Sequence, residues 1–167
     1  MIRVGLLGTG RIGRLHAETI ASHSESSLHA VSDIDSDSAN ELAIQYGVTV
    51  KPADDVISDP NVDAILIATS TDTHSEFIEK ASLSGKAVLC EKPVDLNLNR
   101  AKECLDKVST ANNSIMIGFN RRFDPNFAQL KESLDSGEIG KCELLTITSF
   151  DPAPPPISYV KKSGGLF

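Results

Sequence analysis

The stretch VGLLGTGRIGRLHAETI, residues 4–20, sets three glycines between an apolar run and a segment of helical periodicity. Gly8, Gly10 and Gly13 stand in the spacing G-x-G-x-x-G. That spacing alone also describes ordinary tight turns. It gains meaning where a strand leads directly into it and a helix leaves it, as the flanking residues predict here. Gly8 then serves the tight turn, Gly10 admits a pyrophosphate close to the backbone, and Gly13 lets helix and strand pack closely. The N–H groups around Arg11 and Ile12 face the same anion at the positive end of the helix.

A dinucleotide site needs a second feature, a carboxylate at the end of the next strand that accepts hydrogen bonds from ribose hydroxyls. Asp33 closes LHAVSD, 20 residues after Gly13. Its charge repels a 2′-phosphate, and Ile34, Asp35, Ser36, Asp37 and Ser38 bring no cation to offset that. The expected cofactor is NAD, with Ile34 beside Asp33 among the residues that bind it. Methyltransferases also combine a glycine-rich loop with an acidic residue after the second strand, so these two features leave two cofactor classes open.

Outward from this motif, short apolar runs alternate with helical patterns. Residues 2–7, 27–33, 48–50, 64–69, 87–93 and 114–119 read as strands; 12–22, 36–46, 74–84 and 98–109 read as helices. Strand–helix alternation with short connections predicts an α/β fold, a doubly wound parallel sheet of the NAD-binding Rossmann type, over residues 1–119. Residues 120–167 differ. They read as a helix over 127–134, a turn from Gly137 to Gly140, a strand in ELLTITSF (143–150), and then DPAPPP, which excludes helix and central strand. A lone strand needs partners, so 120–167 reads as the beginning of an incomplete second α/β domain for substrate binding and oligomerisation.

The 167 residues are 40% hydrophobic and 23% charged, with a formal net charge of −7. An acidic surface of this kind argues against nucleic acid or an anionic membrane as partner. No run approaches the roughly 20 apolar residues that span a bilayer, and the N-terminus lacks a basic region followed by a long apolar stretch. A cytoplasmic protein is expected. Cys90, Cys104 and Cys142 are odd in number and widely spaced, which fits neither a disulfide framework nor a zinc site, and no metal is expected.

Four segments in order, residues 8–13, STDTHSEF (70–77), CEKPVDL (90–96) and GFNRRFDP (118–125), resemble the glucose-fructose oxidoreductase/inositol dehydrogenase/MocA family. Within it, TITSFDPAPPPISYVKKSGGLF (146–167) is similar to the bacterial myo-inositol 2-dehydrogenases. The resemblance implies a catalytic role for Lys92 beside the nicotinamide and the substrate hydroxyl. It places Glu91 at the nicotinamide ribose or as a brace for Lys92, and Ser70 and Thr71 at the middle of the cofactor. His74 then touches the nicotinamide side or caps the following helix. Asn120, Arg121 and Asp151 fall to the substrate pocket. The residues themselves agree on one point: Lys92 follows an apolar strand at the carboxyl edge of the sheet, where ligands bind in doubly wound folds. Pro93 stiffens that turn, in either isomer. His16, His23 and His29 have no partners at diagnostic spacing and read as structural or solvated.

The implied activity is NAD-dependent oxidation of a ring hydroxyl of myo-inositol, or of a related cyclitol or sugar, to a ketone. The implied partners are the small polyol itself and, at full length, further copies of the protein. The family's catalytic Asp and His follow a segment like Gly164-Gly165-Leu166-Phe167, so a truncated chain that binds NAD without the full catalytic set is expected. A non-catalytic NAD-binding module is the alternative. A methyltransferase is the remaining one, and the E-K-P motif speaks against it.

Overall fold

The computed structural model describes residues 1–150 together with 153–155, 157 and 160. Asp151 lies outside the described residues.

Strand β1 (Ile2–Leu7) is apolar on both faces, as a strand covered from both sides must be. It lies inside a six-stranded parallel sheet with β2 (Ser26–Ser32), β3 (Thr49–Val50), β4 (Ala64–Ile67), β5 (Ala87–Cys90) and β6 (Ile115–Ile117), in the order β3-β2-β1-β4-β5-β6. Helices α1 (Arg11–Ser22) and α2 (Ser36–Tyr46) cover one face, over a core of Val4, Leu6, Ala17, Ile20, Val31, Leu42 and Leu66. Helices α3 (Ala53–Ser58), α4 (His74–Leu83) and α5 (Leu98–Val108) cover the other, over Leu7, Val56, Ile65, Ile67, Ile78, Val88 and Cys104. The chain winds outward from β1 to β3, then returns to place β4 on the other side of β1. Ligands of such sheets bind at the carboxyl ends of the strands where the winding reverses.

This is the doubly wound α/β fold that the alternation predicts, with three differences of detail. Residues 53–58 form a helix where no element was expected. It is six residues long, too short for periodicity to show, and it starts from Pro52 with Asp54 and Asp55 in its first turn. Helix α6 (Pro125–Asp135) begins two residues earlier than its apolar spacing suggests, because Asp124 caps it and Pro125 occupies the first turn. Residues 143–150, expected as a strand, pair with no other strand among the described residues. High β propensity does not make a strand where no neighbour offers a ladder, and Leu144, Leu145, Ile147 and Phe150 stay exposed. No helix among the described residues is long and apolar enough to cross a membrane.

Gly5 is where α3 comes down onto β1. A Cβ there would lie 2.5 Å from Val56 Cγ1 and 3.1 Å from Ile65 Cδ1. Val56 is fully buried and β-branched, so it has little freedom to give way. Gly5→Ala is expected to lower stability by about 1–3 kcal/mol, the usual cost of overpacking. Urea denaturation measures it, and adding Val56→Ala should recover part of the loss.

At the amino edge of the sheet, Arg3 and Asp63 close a two-pronged pair, with Nε to Oδ2 at 3.0 Å and Nη2 to Oδ1 at 2.9 Å. The Arg3 side chain, then its backbone amide, holds the Asp63 carboxyl well below the usual carboxylate range. Lys51, 2.6 Å away, does the same for Asp59, helped by the Asn61 amide. Both carboxyls protonate less readily folded than unfolded. Their contribution to stability is therefore full above the ordinary value of 3.8 and is lost as pH falls below it. Asp63→Asn should lower the urea midpoint at pH 7, and the gap to the unaltered protein should close below about pH 4.

Candidate cofactor cleft

The glycine loop joins β1 to α1 by two close approaches. Gly8 has φ of +95°, and a Cβ on it would lie 2.4 Å from the Ala68 carbonyl oxygen. A Cβ on Gly13 would lie 1.9 Å from the Gly8 carbonyl oxygen. No side chain is compatible with either. Gly10 is different: its backbone is extended, at φ −66° and ψ −170°, and a Cβ there meets nothing within 4 Å. Helices α2, α5 and α6 are capped by the side chains of Asp35, Asn97 and Asp124. Helix α1 has no side-chain cap and no acidic residue in its first turn. The first-turn amides, those of Arg11 and Ile12 among them, have no intrahelical acceptor and border the open space at Gly10. An anion such as a pyrophosphate fits that space.

Asp33 is fastened to this loop. Its Oδ2 accepts from the Thr9 backbone N–H at 2.6 Å and lies 3.0 Å from the Thr9 hydroxyl, while Oδ1 accepts from the Asp35 N–H at 2.9 Å. The Ser38 hydroxyl donates to the Thr9 carbonyl at 3.1 Å. Ile34, beside Asp33, is fully exposed, an apolar side chain at the rim with no neighbour to cover it. Thr9 is fully buried and was not singled out from the sequence; its place between two glycines acquires meaning only when Asp33 folds onto it. Arg14 reaches Ser38 from α1, at 3.2 Å from the hydroxyl, so a cation does stand against the segment that follows Asp33. It is already engaged by Glu41 at 2.9 Å.

With Asp33 at the end of β2 and the loop at the end of β1, a dinucleotide must continue over β4 and β5. There the E-K-P turn leaves the sheet, with Lys92 exposed and the Lys92–Pro93 peptide cis. The turn is clamped by two adjacent residues of α4. His74 is buried, its Nδ1 2.7 Å from the Pro93 carbonyl oxygen and its Nε2 3.1 Å from that of Thr69. Both neighbours are acceptors, so a neutral ring serves one with its single N–H and an imidazolium serves both. The Ser75 hydroxyl donates to Asp95 Oδ2 at 2.6 Å, and Asp95 Oδ1 accepts from the Asn97 amide. The Ser75 bond, then that amide, lowers the Asp95 carboxyl below its ordinary value. His74 thus sits behind the turn as a brace, away from the open rim, where Ser70 is exposed and Thr71 half-buried.

Lys92, Asn120 and Arg121 line one cleft of about 430 Å³ together with Gly118, Phe119 and Arg122. The Arg121 guanidinium also stands over the Phe127 ring, 5.7 Å from its centre. Glu91 does not line this cleft. It pairs with His16 Nε2 at 2.8 Å, a partner that sequence spacing did not disclose because the two lie 75 positions apart.

Residues 2–119 match the Gfo/Idh/MocA oxidoreductase family, described as an NAD-binding Rossmann fold. The chain belongs to that family. As a Gfo/Idh/MocA member its cofactor is NAD. It is 45% identical over 166 residues to the inositol 2-dehydrogenase of Rhizobium meliloti (strain 1021), a match covering 99% of this chain and 50% of that protein. The structure of a myo-inositol dehydrogenase from Corynebacterium glutamicum superposes with a TM-score of 0.92 at 38% identity, over 99% of this chain and 50% of that one. A scyllo-inositol dehydrogenase from Lactobacillus casei, with bound NAD(H) and scyllo-inositol, superposes at 0.79 and 30% identity, over 84% and 42%. The chain spans about half the length of the curated relatives it matches.

Since Gly10 has room for a Cβ and ordinary dihedrals, Gly10→Val should fold normally while filling the space offered to the phosphates. The expected result is an unchanged unfolding midpoint without ligand and an NAD affinity, by calorimetry, reduced about tenfold or more.

Proposed function

We propose that this chain supplies the cofactor-binding part of an NAD-dependent polyol dehydrogenase that oxidises a ring hydroxyl of myo-inositol, or of a related cyclitol, to a ketone. The observation that carries this reading is the meeting of Lys92, Asn120 and Arg121 around one cleft at the carboxyl edge. The relatives named for inositol oxidation support the substrate class.

NAD, when bound, takes up the hydride that leaves the carbinol carbon. The chain's own residues do the rest. Asp33 accepts from the adenosine ribose hydroxyls, and the free amides at the start of α1 hold the pyrophosphate, with Ser70 and Thr71 at the rim beside it. Lys92 Nζ hydrogen-bonds the reacting hydroxyl and relays its proton as the C–H bond breaks. Asn120 and Arg121 hydrogen-bond neighbouring hydroxyls, which a cyclitol presents on every ring carbon, and orient the ring. Residues 120–167 begin the substrate domain, with Asp151 assigned to its pocket. Turnover draws further acid–base groups from the part of the relatives' length that this chain does not span, so the chain alone binds NAD without oxidising the polyol.

Two measurements test this. Calorimetry on the chain should show NAD bound about tenfold tighter than NADP or more, since Asp33 meets the 2′-phosphate with like charge; equal affinities would refute the role of Asp33. A full-length protein carrying this chain should form NADH with myo-inositol, and Lys92→Ala should lower that rate by about 10²–10⁴. Binding of NAD with no NADH from any cyclitol or sugar would replace the dehydrogenase by a binding module.

A further inference from the structure

We propose that His16 is a positioning residue for the nicotinamide half of the cofactor, acting through Glu91. This rests on the reading that NAD occupies the cleft. His16 stands on α1 one turn beyond Gly13, and Glu91 is the first residue past β5. The ring Nε2 and Glu91 Oε1 lie 2.8 Å apart, with side chains 23% and 26% exposed, so the pair is largely shielded from water. An ionised carboxylate only accepts, and the ring therefore donates. By contrast the ring of His23 takes only the amide of Glu25, two residues away.

The backbone around Glu91 and the space beside its carboxylate are also defined. The Glu91 backbone N–H still donates to the Ile67 carbonyl at 2.9 Å, which keeps it in register with β4. The carboxylate faces Gly118, where an added Cβ would stand 3.3 Å from Cδ and both oxygens. The Gly118 N–H in turn donates to the Cys90 carbonyl at 2.7 Å. Glu91 is thereby held between the phosphate-facing helix and the end of β6, and the next residue is Lys92 in the cleft. Among the described residues Oε2 has no hydrogen-bond partner. A dinucleotide that lies with one ribose at Asp33 and its pyrophosphate at Gly10 carries its second ribose past the pair. Oε2 is the acceptor offered to its hydroxyls. His16 holds Glu91 for that bond and ties the E-K-P turn to the helix that binds the phosphates.

The test compares NAD with ADP, which has the adenosine and both phosphates but lacks the second ribose and the nicotinamide. Calorimetry on this chain should show His16→Leu weakening NAD about tenfold while ADP binding is unchanged. His16→Gln, whose amide N–H reaches close to the position of Nε2, should restore most of the NAD affinity. Glu91→Gln should weaken NAD similarly, and His16→Leu with Glu91→Gln should be no worse than Glu91→Gln alone. The proposal is overturned if NAD affinity is unchanged in His16→Leu. It is equally overturned if NAD and ADP weaken together with a fall in melting temperature and Gln gives no rescue, as a merely structural histidine would produce. If the unaltered chain binds neither NAD nor ADP, the cofactor reading itself fails and takes this assignment with it.

Discussion

Helix α1 approaches the centre of the sheet more closely than any side chain at position 13 would allow, since a Cβ there would stand 1.9 Å from the Gly8 carbonyl oxygen. The cleft depends on that contact. It sets the first turn of α1 over the carboxyl end of β1, leaving uncapped amides in open space at Gly10. It turns Thr9 under the loop, where its amide reaches Asp33, and it brings His16 within a hydrogen bond of Glu91. Asp33 on one side and Glu91 on the other are thus both tied to one junction of helix and strand.

The second fixed point is the E-K-P turn, and the division of labour there runs between two motifs far apart in the chain. His74 and Ser75 belong to STDTHSEF, and both bond into CEKPVDL, one to the Pro93 carbonyl and the other to Asp95. Buried polar groups are costly unless paired, so these side chains are held to one arrangement, and the turn is held with them. Lys92 itself keeps its side chain in solvent. A rigid backbone beneath a free side chain is what a group needs if it is to meet a substrate that arrives from outside the chain.

Much of this was legible in the sequence because it is local. The alternation of strands and helices, the strand–loop–helix around Gly8, Gly10 and Gly13, and the placing of Asp33 at the end of β2 each rest on residues within a short window. Helix α3 escaped because six residues show no period. The expected strand over 143–150 failed for the opposite reason: its composition is right, but a strand is defined by a neighbour, and propensity says nothing about whether one is present. The brace at His74 and the pair of His16 with Glu91 join residues 19 and 75 positions apart. No spacing rule reaches across such distances, and only the fold brings the residue after β5 to His16 on α1.

Asp33 shows how closely the loop's shape and the choice of cofactor are bound together. In the sequence, its carboxylate favours NAD over NADP by charge alone. In the structure the same carboxylate holds the Thr9 amide and hydroxyl on one oxygen and the Asp35 amide on the other. Thr9 lies between Gly8 and Gly10, so the carboxylate proposed for the ribose also sets the conformation of the loop proposed for the phosphates. Arg14, the one cation that reaches Ser38 among the described residues, is drawn aside by Glu41. A 2′-phosphate would therefore face a carboxylate that cannot swing away without releasing Thr9, and a guanidinium that cannot swing in without leaving Glu41. The proposed preference for NAD over NADP thus draws on these partners as well as on charge, and only the charge is visible in the linear sequence.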